Sequence, residues 1–220
     1  YRDAAFFRRT TATPVIDIPF GINVNEFTPH FKVSDKPSFY HIGSMNWMPN
    51  EEAIKWLTTE VWDEVVKRDP EAELFLAGRN TPQWLLKLQK KNVHVIGEVP
   101  DAKEFVCSHD IAVVPLMSGS GMRVKIIESM ALGKTVITTP VGAEGIQYSE
   151  NENIIIAENK AQMVEAMCRA MKNPAEAERI GRNARQLIET AYDNKKIVER
   201  LLIFYEEISS PKNITDLKEK

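Results

Sequence analysis

Short apolar runs alternate with longer amphipathic segments from Pro37 to about residue 190. Most of the apolar runs are bounded by a glycine, a proline or a small polar residue. They are SFYHIG, AELFLAG, VHVIG, IAVVP, KTVITT and IIIA near residue 154. Short apolar runs without strict alternation are typical of parallel strands buried on both faces of a sheet. The pattern therefore predicts a parallel sheet built from these six runs.

Helix signals occupy the stretches between the predicted strands. Asn50, with Glu51 and Glu52 behind it, predicts a cap and an acidic first turn for a helix that continues to about Arg68. The other predicted helices are 81–90, 101–107, 121–133, 160–172, 175–191 and 194–208. Strands that alternate with helices form βαβ units. We therefore expect an α/β fold, a Rossmann-like parallel sheet with helices on both faces, followed by a helical C-terminal tail.

Residues 1–36 differ from this pattern. The sequence TPVIDIPFGINVNEFTP predicts a short apolar strand, a turn at Gly21 and an extended segment bounded by proline. We divide the chain into a leading segment (1–36), the Rossmann-like domain (37–192) and a terminal helix with its tail (193–220). The chain does not begin with Met, which suggests a fragment of a longer protein or a processed product.

Composition excludes several classes of protein. The net charge of −3 and pI near 5.9 offer no concentrated basic surface for nucleic acid. Cys107 and Cys168 are isolated in apolar surroundings, as reduced thiols of a cytoplasmic protein would be. No run approaches the roughly 20 apolar residues that span a bilayer. No His or Cys motif has metal-ligand spacing, so we expect neither a metal nor a bound cofactor.

Two loops that follow predicted strands carry the candidate chemistry. They are HIGSMNWMPNE after the first strand and PLMSGSGMRVKIIES after the fourth. In an open parallel sheet, ligands bind outside the carboxyl ends of the strands. The first loop has Gly43 but lacks the G-x-G-x-x-G of nicotinamide dehydrogenases, and no G-x-x-x-x-G-K-[ST] run is present. These absences argue against a dehydrogenase and a P-loop nucleotidase.

The second loop predicts an anion site. Residues 118–121 (Ser-Gly-Ser-Gly) bring backbone N–H groups to a helix N-terminus, and Arg123 and Lys125 follow in what we expect to be the first turn. The helix dipole disfavours a cation there by about 0.3–1 kcal/mol. A bound diphosphate would explain two such cations. The alternative is that both are solvated surface side chains.

Glu128 lies one turn beyond Lys125 on the same predicted helix face. An ion pair between them would contribute only about 0.2–0.5 kcal/mol. The other interpretation is a carboxylate that binds two sugar hydroxyls, as acidic residues do in nucleotide-binding folds. The residue pattern leaves both open. Arg79, at the end of the second strand, could reach the same cleft, although an exposed loop arginine is the commoner case.

These motifs, in this order and spacing, resemble the carboxyl-terminal domain of the group 1 (family 4) retaining glycosyltransferases, which have the GT-B fold. The resemblance extends from about Ile18 to Ile208 and rests on several motifs together. They are IPFGINVNEF, HIGSMNWMPNEEAIKWL, LAGRN, VHVIGEVPDAKEF and HDIAVVPLMSGSGMRVKIIESMALGKTVITTPVGAEGI. The resemblance implies a nucleoside-diphosphate-sugar donor, transfer with retention and no obligatory metal. It also implies that residues 1–36 lead from a separate N-terminal domain that carries the acceptor.

The resemblance also implies roles for individual residues. Glu128 matches the second glutamate of the family's Glu-x7-Glu motif, which binds the donor ribose. The other matching donor-side residues are Gly43 and Ser44 in the diphosphate loop, Val99 near the base, and Ser120, Gly121, Met122, Arg123 and Lys125 in and after the second loop.

The sequence departs from the family motif at two places. Ser120 stands where the family has the first glutamate, and Ser44 and Pro49 stand where many members carry Arg and Lys. We expect Arg123 and Lys125 to supply that positive charge to the leaving diphosphate.

We therefore expect the donor-binding domain of a retaining hexosyltransferase in polysaccharide or glycolipid synthesis. The alternatives are a nucleotide-sugar-binding module without transfer and a sugar-nucleotide epimerase of the same fold. We expect a cytoplasmic protein, with attachment at the inner membrane through the N-terminal domain as a second option.

The last helix has an apolar stripe formed by Ile197, Leu201, Leu202, Phe204, Tyr205 and Ile208. We expect part of this stripe to be exposed, and the isolated chain to associate through its terminal segments and to show no transfer by itself.

Overall fold

The computed structural model describes residues 2–209 and confirms the parallel sheet. Its strands are β1 (Phe39–Ile42), β2 (Leu74–Ala77), β3 (Val93–Gly97), β4 (Ile111–Val114), β5 (Thr135–Thr138) and β6 (Ile155–Ile156). They form one sheet in the order β3-β2-β1-β4-β5-β6, and every neighbouring pair is parallel. Each of the six apolar runs in the sequence contains one of these strands. The strand order reverses between β1 and β4, which makes that position the switch point of the sheet.

Helices connect the strands and continue beyond the last one. They are α1 (Arg2–Thr10), α2 (Met48–Trp56), α3 (Trp62–Arg68), α4 (Gln83–Leu86), α5 (Ala102–Cys107), α6 (Val124–Ala131), α7 (Lys160–Lys172), α8 (Pro174–Leu187) and α9 (Asn194–Ser209). A π-helical turn, Leu57–Val61, joins α2 to α3, and a second one, Ile188–Tyr192, extends α8. A single 3-10 turn covers Val24–Glu26.

Two apolar cores lie on opposite faces of the sheet. Successive side chains of a strand point to opposite faces, so Ile111 and Val113 enter one core while Ala112 and Val114 enter the other. The first core packs against the continuous helix α2–α3 and against α7, and the second against α5 and α6. All four of these β4 residues are buried. The predicted arrangement, a sheet with helices on both faces, is confirmed.

The leading segment contains no strand between residues 11 and 38, so the predicted strand in TPVIDIPFG is wrong. Pro14 and Pro19 remove two backbone N–H donors from this stretch, which prevents a regular ladder. Ile22 forms one isolated bridge with Asp193. The helix α1 that precedes this stretch was not predicted.

The second half of the leading segment packs into the domain. The N–H of Ile22 donates to the carbonyl of Tyr192 over 2.9 Å, and Ile22 and Phe27 are buried in the second core. The buried guanidinium of Arg185 donates to the carbonyls of Phe27 (2.7 Å) and Ala131 (2.6 Å). These bonds fasten the segment to α6 and α8.

The predicted starts of α2 and α4 are wrong. Helix α2 begins at Met48 rather than at Asn50, because Pro49 occupies its first turn and places Asn50 inside the helix. Helix α4 spans only Gln83–Leu86, with Pro82 at its cap position. The hydroxyl of Thr81 donates to the carbonyl of Gly78 over 2.8 Å and so does not cap α4. Helix α5 lies within the predicted range 101–107, and Asp101 caps it because its carboxylate accepts from the backbone N–H groups of Lys103 and Glu104.

Helix α9 exposes part of its apolar stripe, as expected. Ile197 is buried, whereas Leu202 and Tyr205 are 55% and 53% exposed. In the range 2–209, none of the helices is both long enough and apolar enough to cross a membrane.

The contact between α8 and the end of α6 gives a stability prediction. A Cβ on Gly181 would lie 2.2 Å from the carbonyl oxygen of Gly133 and 3.3 Å from the amide nitrogen of Thr135, and both are rigid backbone atoms. We expect Gly181→Ala to lower the free energy of unfolding by about 1–3 kcal/mol, the usual cost of overpacking. Denaturant unfolding measures this change. The control Gln186→Ala, on the exposed side of α8, should change it by less than about 0.5 kcal/mol. Equal effects of the two substitutions would show that α8 is not packed this closely.

Candidate functional site

The candidate site lies at the switch point, outside the carboxyl ends of β1 and β4. The loop after β1 runs from Gly43 into α2, and the loop after β4 runs through Gly119 and Gly121 into α6. Because β1 and β4 are neighbouring parallel strands, both loops leave the same edge of the sheet side by side. This is the position at which doubly wound folds bind ligands.

Close contacts join the two loops. A Cβ on Gly43 would lie 2.5 Å from Nζ of Lys125, and one on Gly119 would lie 3.3 Å from the ring of Trp47. Gly119 also has a φ of +103°, which other residues rarely adopt. The hydroxyl of Ser118 donates to the carboxylate of Glu52 over 2.9 Å. Residue 119 is therefore glycine because of its backbone conformation, and Gly43 leaves the space that the amine of Lys125 and the amide of Asn50 occupy.

Lys125 points from α6 across the switch point toward β1 and α2. Its Nζ donates to Oδ1 of Asn50 over 2.7 Å and lies 3.2 Å from Nε2 of His41. It forms no ion pair with Glu128, although the structure describes both side chains. The ion-pair interpretation of Glu128 is therefore wrong. Burial, and after it the positive charge of Arg123, lower the pKa of Lys125 to about 7.

Arg123 precedes α6 instead of lying in its first turn, so the prediction for this residue is wrong. Its backbone is extended at the cap position, and its guanidinium folds back onto the carbonyls of Ser120 (2.5 Å) and Gly121. The side chain is only 5% exposed, and its carbon Cζ lies 5.6 Å from the ring centre of Trp47. The unfavourable dipole at the start of α6 therefore acts on Lys125 at the second helical position, and Arg123 is stabilised by loop carbonyls.

Two guanidinium nitrogens of Arg123, Nε and Nη2, are buried and have no hydrogen-bond partner among residues 2–209. A buried donor without a partner costs about 1–3 kcal/mol. Burial lowers the pKa of Arg123, while the nearby carboxylate of Glu144 raises it. The loop therefore holds a cation that gains free energy from any acceptor placed at these two nitrogens.

Glu128 projects from α6 one turn beyond Lys125. The residue is exposed, and partial burial of its carboxyl raises the pKa of that group, opposed by the charge of Lys103. The structure places this acid on the same helix as Lys125. It is available to accept hydrogen bonds from a bound molecule.

The remaining predicted residues lie either in the two loops of the site or just beyond the ends of β2 and β3. Ser44, Ser120, Gly121 and Met122 lie in the two loops, where the hydroxyl of Ser44 donates to Oδ1 of Asn46 over 2.8 Å and Ser120 is exposed.

Arg79 and Val99 belong to the ends of β2 and β3. Arg79 is exposed and contributes its carbonyl to the N–H of Met45 over 2.9 Å, and Val99 is partly buried against the second core. Neither forms a hydrogen bond or ion pair with Arg123 or Lys125 in the part of the chain that the structure describes.

The sequence analysis gave Asn50 and Glu52 only a role in starting a helix and gave His41 no role in the site. Asn50 is 2% exposed and was interpreted as a cap because capping is the commonest role of Asn before a helix. The signal that could have corrected this was Pro49, which prefers the first helical turn. His41 is buried, as expected for a core histidine, yet its second ring nitrogen faces Lys125.

Two surface pockets lie elsewhere, with volumes of about 370 and 540 Å³. The larger one is lined by Ser38, Phe75 and His109, among others, at the amino-terminal end of the strands. None of the candidate residues lines either pocket. Among the described residues, no group of three or more His, Cys, Asp or Glu side chains is arranged to hold a metal ion.

Known proteins are similar to this chain in sequence and in fold. An uncharacterized 44.6 kDa protein in the cps region of Klebsiella pneumoniae is 25% identical over 162 residues, which cover 69% of this chain and 42% of that protein. TarM of S. aureus superposes with a TM-score of 0.72 at 18% identity, over 90% of this chain and 40% of TarM. HepE from Anabaena in complex with UDP gives a TM-score of 0.72 at 13% identity, over 92% of this chain and 60% of HepE.

A third structure matches along its whole length. It is the C-terminal domain of the group 1 family glycosyl transferase LpcC from Francisella tularensis, with a TM-score of 0.62 at 19% identity, over 79% of this chain and 100% of that domain. At these identities the structural likeness shows the shared Rossmann-like fold. The chain spans less than two thirds of the Klebsiella protein, TarM and HepE.

The family model of the group 1 glycosyl transferases matches residues 36–173, well over half of the 220-residue chain. The matched range contains both loops of the candidate site and all of β1–β6. The chain therefore belongs to the group 1 glycosyltransferases.

Proposed function

We propose that this chain is the donor-binding domain of a retaining glycosyltransferase. It binds a nucleoside-diphosphate sugar and contributes to the transfer of its hexose to an acceptor in polysaccharide or glycolipid synthesis. The observation that carries the proposal is the pair of basic side chains at the switch point. Among residues 2–209, the hydrogen-bond partners of the Lys125 side chain are the neutral groups of Asn50 and His41, and two donors of Arg123 have no partner.

A diphosphate fits the charge and the hydrogen bonding of this site. When the bond between a sugar and a diphosphate breaks, negative charge develops on the leaving phosphate. Preorganised cations in a partly buried site stabilise that charge more strongly than they would in water. We assign Arg123 and Lys125 to this role, and the loops at Gly43–Ser44 and Ser120–Met122 to the binding of the phosphates.

We assign Glu128 to the binding of the ribose hydroxyls of the nucleoside. Its carboxylate is exposed on α6 beyond the two cations, and a carboxylate can accept hydrogen bonds from two neighbouring hydroxyls. In this arrangement the ribose lies farther along α6 than the diphosphate. Arg79 and Val99 border the same edge of the sheet, on the side where we place the base.

The solved relatives support this class of ligand. HepE is described in complex with UDP, with UDP and glucose, and with UDP-glucose. The acceptor in our proposal is held by a second domain, and the exposed part of the α9 stripe, including Leu202 and Tyr205, contacts that domain. Association of the isolated chain through the same surface follows from this proposal.

A nucleotide-sugar-binding module without transfer is the second candidate. The observation that favours it is Ser120, an exposed serine at the position of the family's first glutamate. A full-length protein that retains a nucleoside diphosphate but turns over no donor with any acceptor would establish this candidate. Turnover of a nucleoside-diphosphate sugar would establish the transferase.

Glu128→Ala tests the binding of the nucleoside. Calorimetry with UDP, GDP and ADP identifies the preferred diphosphate, and the variant should bind it more weakly by roughly 1.5–3 kcal/mol, the range for hydrogen bonds to a charged group. Thermal unfolding should stay close to that of the wild type. The matched control is Glu158→Ala, an exposed carboxylate just before α7, which should bind like the wild type. Unchanged affinity in Glu128→Ala would remove this residue from the site.

Arg123→Met tests the diphosphate contact. The substitution keeps an apolar stem near Trp47 and removes the charge, so we expect the affinity for the nucleoside diphosphate to fall at least about tenfold more than that for the monophosphate. Calorimetric titration of both ligands gives the two losses. Arg9→Met, an exposed arginine of α1, serves as the charge-matched control. Equal losses for the two ligands would contradict the assignment of Arg123 to the diphosphate.

A further inference from the structure

The hydrogen bonds of His41 show which of its ring nitrogens carries the proton and which one accepts from Lys125. Nδ1 of His41 lies 2.8 Å from the carbonyl oxygen of Val113. A carbonyl only accepts, so Nδ1 carries the proton of the neutral imidazole and Nε2 carries a lone pair. Nε2 therefore accepts from Lys125. Burial and the adjacent lysine hold the pKa of His41 well below its ordinary value, so the ring stays neutral near pH 7.

Asn50 is oriented in the same way. Its Nδ2 donates to the carbonyl of Ser44 over 2.8 Å, which leaves Oδ1 to accept from Nζ of Lys125 over 2.7 Å. His41 and Asn50 thus present two acceptors to one nitrogen. A neutral lysine amine has two N–H groups and one lone pair, so these two acceptors match its two N–H groups and leave the lone pair free to take a proton.

Among residues 2–209, the hydrogen-bond partners of Nζ are His41 and Asn50, and neither of them carries a negative charge that would compensate an ammonium. The groups that face Nζ are His41 from β1, Asn50 from α2, the backbone of Gly43, and Arg123 at the start of α6. The first three are neutral and the last is positive. Burial and the charge of Arg123 together lower the pKa of Lys125 to about 7. Two neutral acceptors can bind either form of the nitrogen, whereas burial and the nearby positive charge of Arg123 favour the amine.

We propose that Lys125 rests as a neutral amine in the empty site and takes up one proton from solvent when an anionic diphosphate binds. This inference rests on the proposed function. The proton forms an N–H bond with the lone pair of Nζ, and no other bond breaks. The new ammonium keeps its bonds to His41 and Asn50 and donates its third N–H to a phosphate oxygen. His41 and Asn50 are positioning residues in this scheme.

Proton uptake on binding determines whether the affinity for the diphosphate rises or falls with pH. A nearby phosphate raises the pKa of Lys125 above its value of about 7 in the empty site. At a pH between these two values the complex holds more protons than the separate partners. The affinity then falls as the pH rises above 7, by up to about tenfold per pH unit. Well below pH 7 Lys125 is already charged, and no proton is taken up by it.

The resting state is tested without ligand by NMR of the protein labelled with ¹³C at the lysine Cε. The Lys125 signal is the one missing from Lys125→Arg, and its titration midpoint should lie near pH 7. Lys36 is the internal control, because its hydrogen bond and charge interaction with the carboxylate of Glu71 raise its pKa, and it should titrate above the ordinary lysine range, which lies near 10.4. A midpoint for Lys125 in that same ordinary range would overturn the inference, whatever the protein binds.

Proton uptake is tested by calorimetry of UDP binding at pH 8 in Tris and in HEPES, which differ in ionisation enthalpy. At this pH the terminal phosphate of UDP is fully ionised, since its pKa is about 6. The wild type should take up close to one proton, and Lys125→Arg, which is always charged, should take up none. Binding without uptake by the wild type would overturn the inference and leave the proposed function intact. If UDP, GDP and ADP all fail to bind, the proposed function fails, and with it the ligand-linked step.

Asn50→Asp tests whether the neutral partners of Lys125 cause the proton uptake. The substitution places a carboxylate beside Nζ, so Lys125 should stay charged in the empty site. We expect its NMR midpoint to rise to at least the ordinary lysine range and the proton uptake to disappear. An unchanged midpoint in a folded Asn50→Asp protein would contradict the geometry on which the inference depends.

Discussion

The contact of Lys125 with Asn50 and His41 holds the candidate site together. It joins the start of α6, which follows β4, to β1 and to the first turn of α2. The contact exists only because Gly43 has no side chain, since a Cβ there would occupy the space of Nζ. The two loops of the site are thus held together by a lysine whose hydrogen-bond partners, within residues 2–209, are both uncharged. The same bonds position its amine toward the edge of the sheet where doubly wound folds bind ligands.

The strands of this fold could be predicted from the sequence because they are buried on both faces. Such strands need a continuous apolar run, and glycine, proline or a polar residue ends each run. Helix α5 was predicted for a local reason, since the carboxylate of Asp101 reaches the N–H groups of Lys103 and Glu104. The start of α2 was not predicted correctly. Asn50 has a side chain that is typical of a cap, but it follows Pro49 inside the helix and accepts a hydrogen bond from the distant Lys125.

The residue types of the site could be predicted from the sequence, whereas the contacts between them could not. Gly43, Arg123 and Lys125 could be selected because their types suit a diphosphate at a helix start. Their partners lie far away in the sequence: Lys125 is 75 residues from Asn50 and 84 from His41. Local spacing suggested an ion pair with Glu128, which the fold replaces by these distant contacts. The backward turn of Arg123 onto its own loop depends on backbone angles that the sequence does not encode in any short pattern.

The central claim is that the switch point binds a diphosphate through Lys125. A crystal structure of this chain with its preferred nucleoside diphosphate tests the claim most directly. The account predicts a phosphate oxygen within hydrogen-bonding distance of Nζ of Lys125, with the phosphates between the loops at Gly43 and Gly121 and the ribose beside Glu128. A nucleotide bound at another surface, or one in this cleft that leaves Lys125 in contact with only Asn50 and His41, would contradict it.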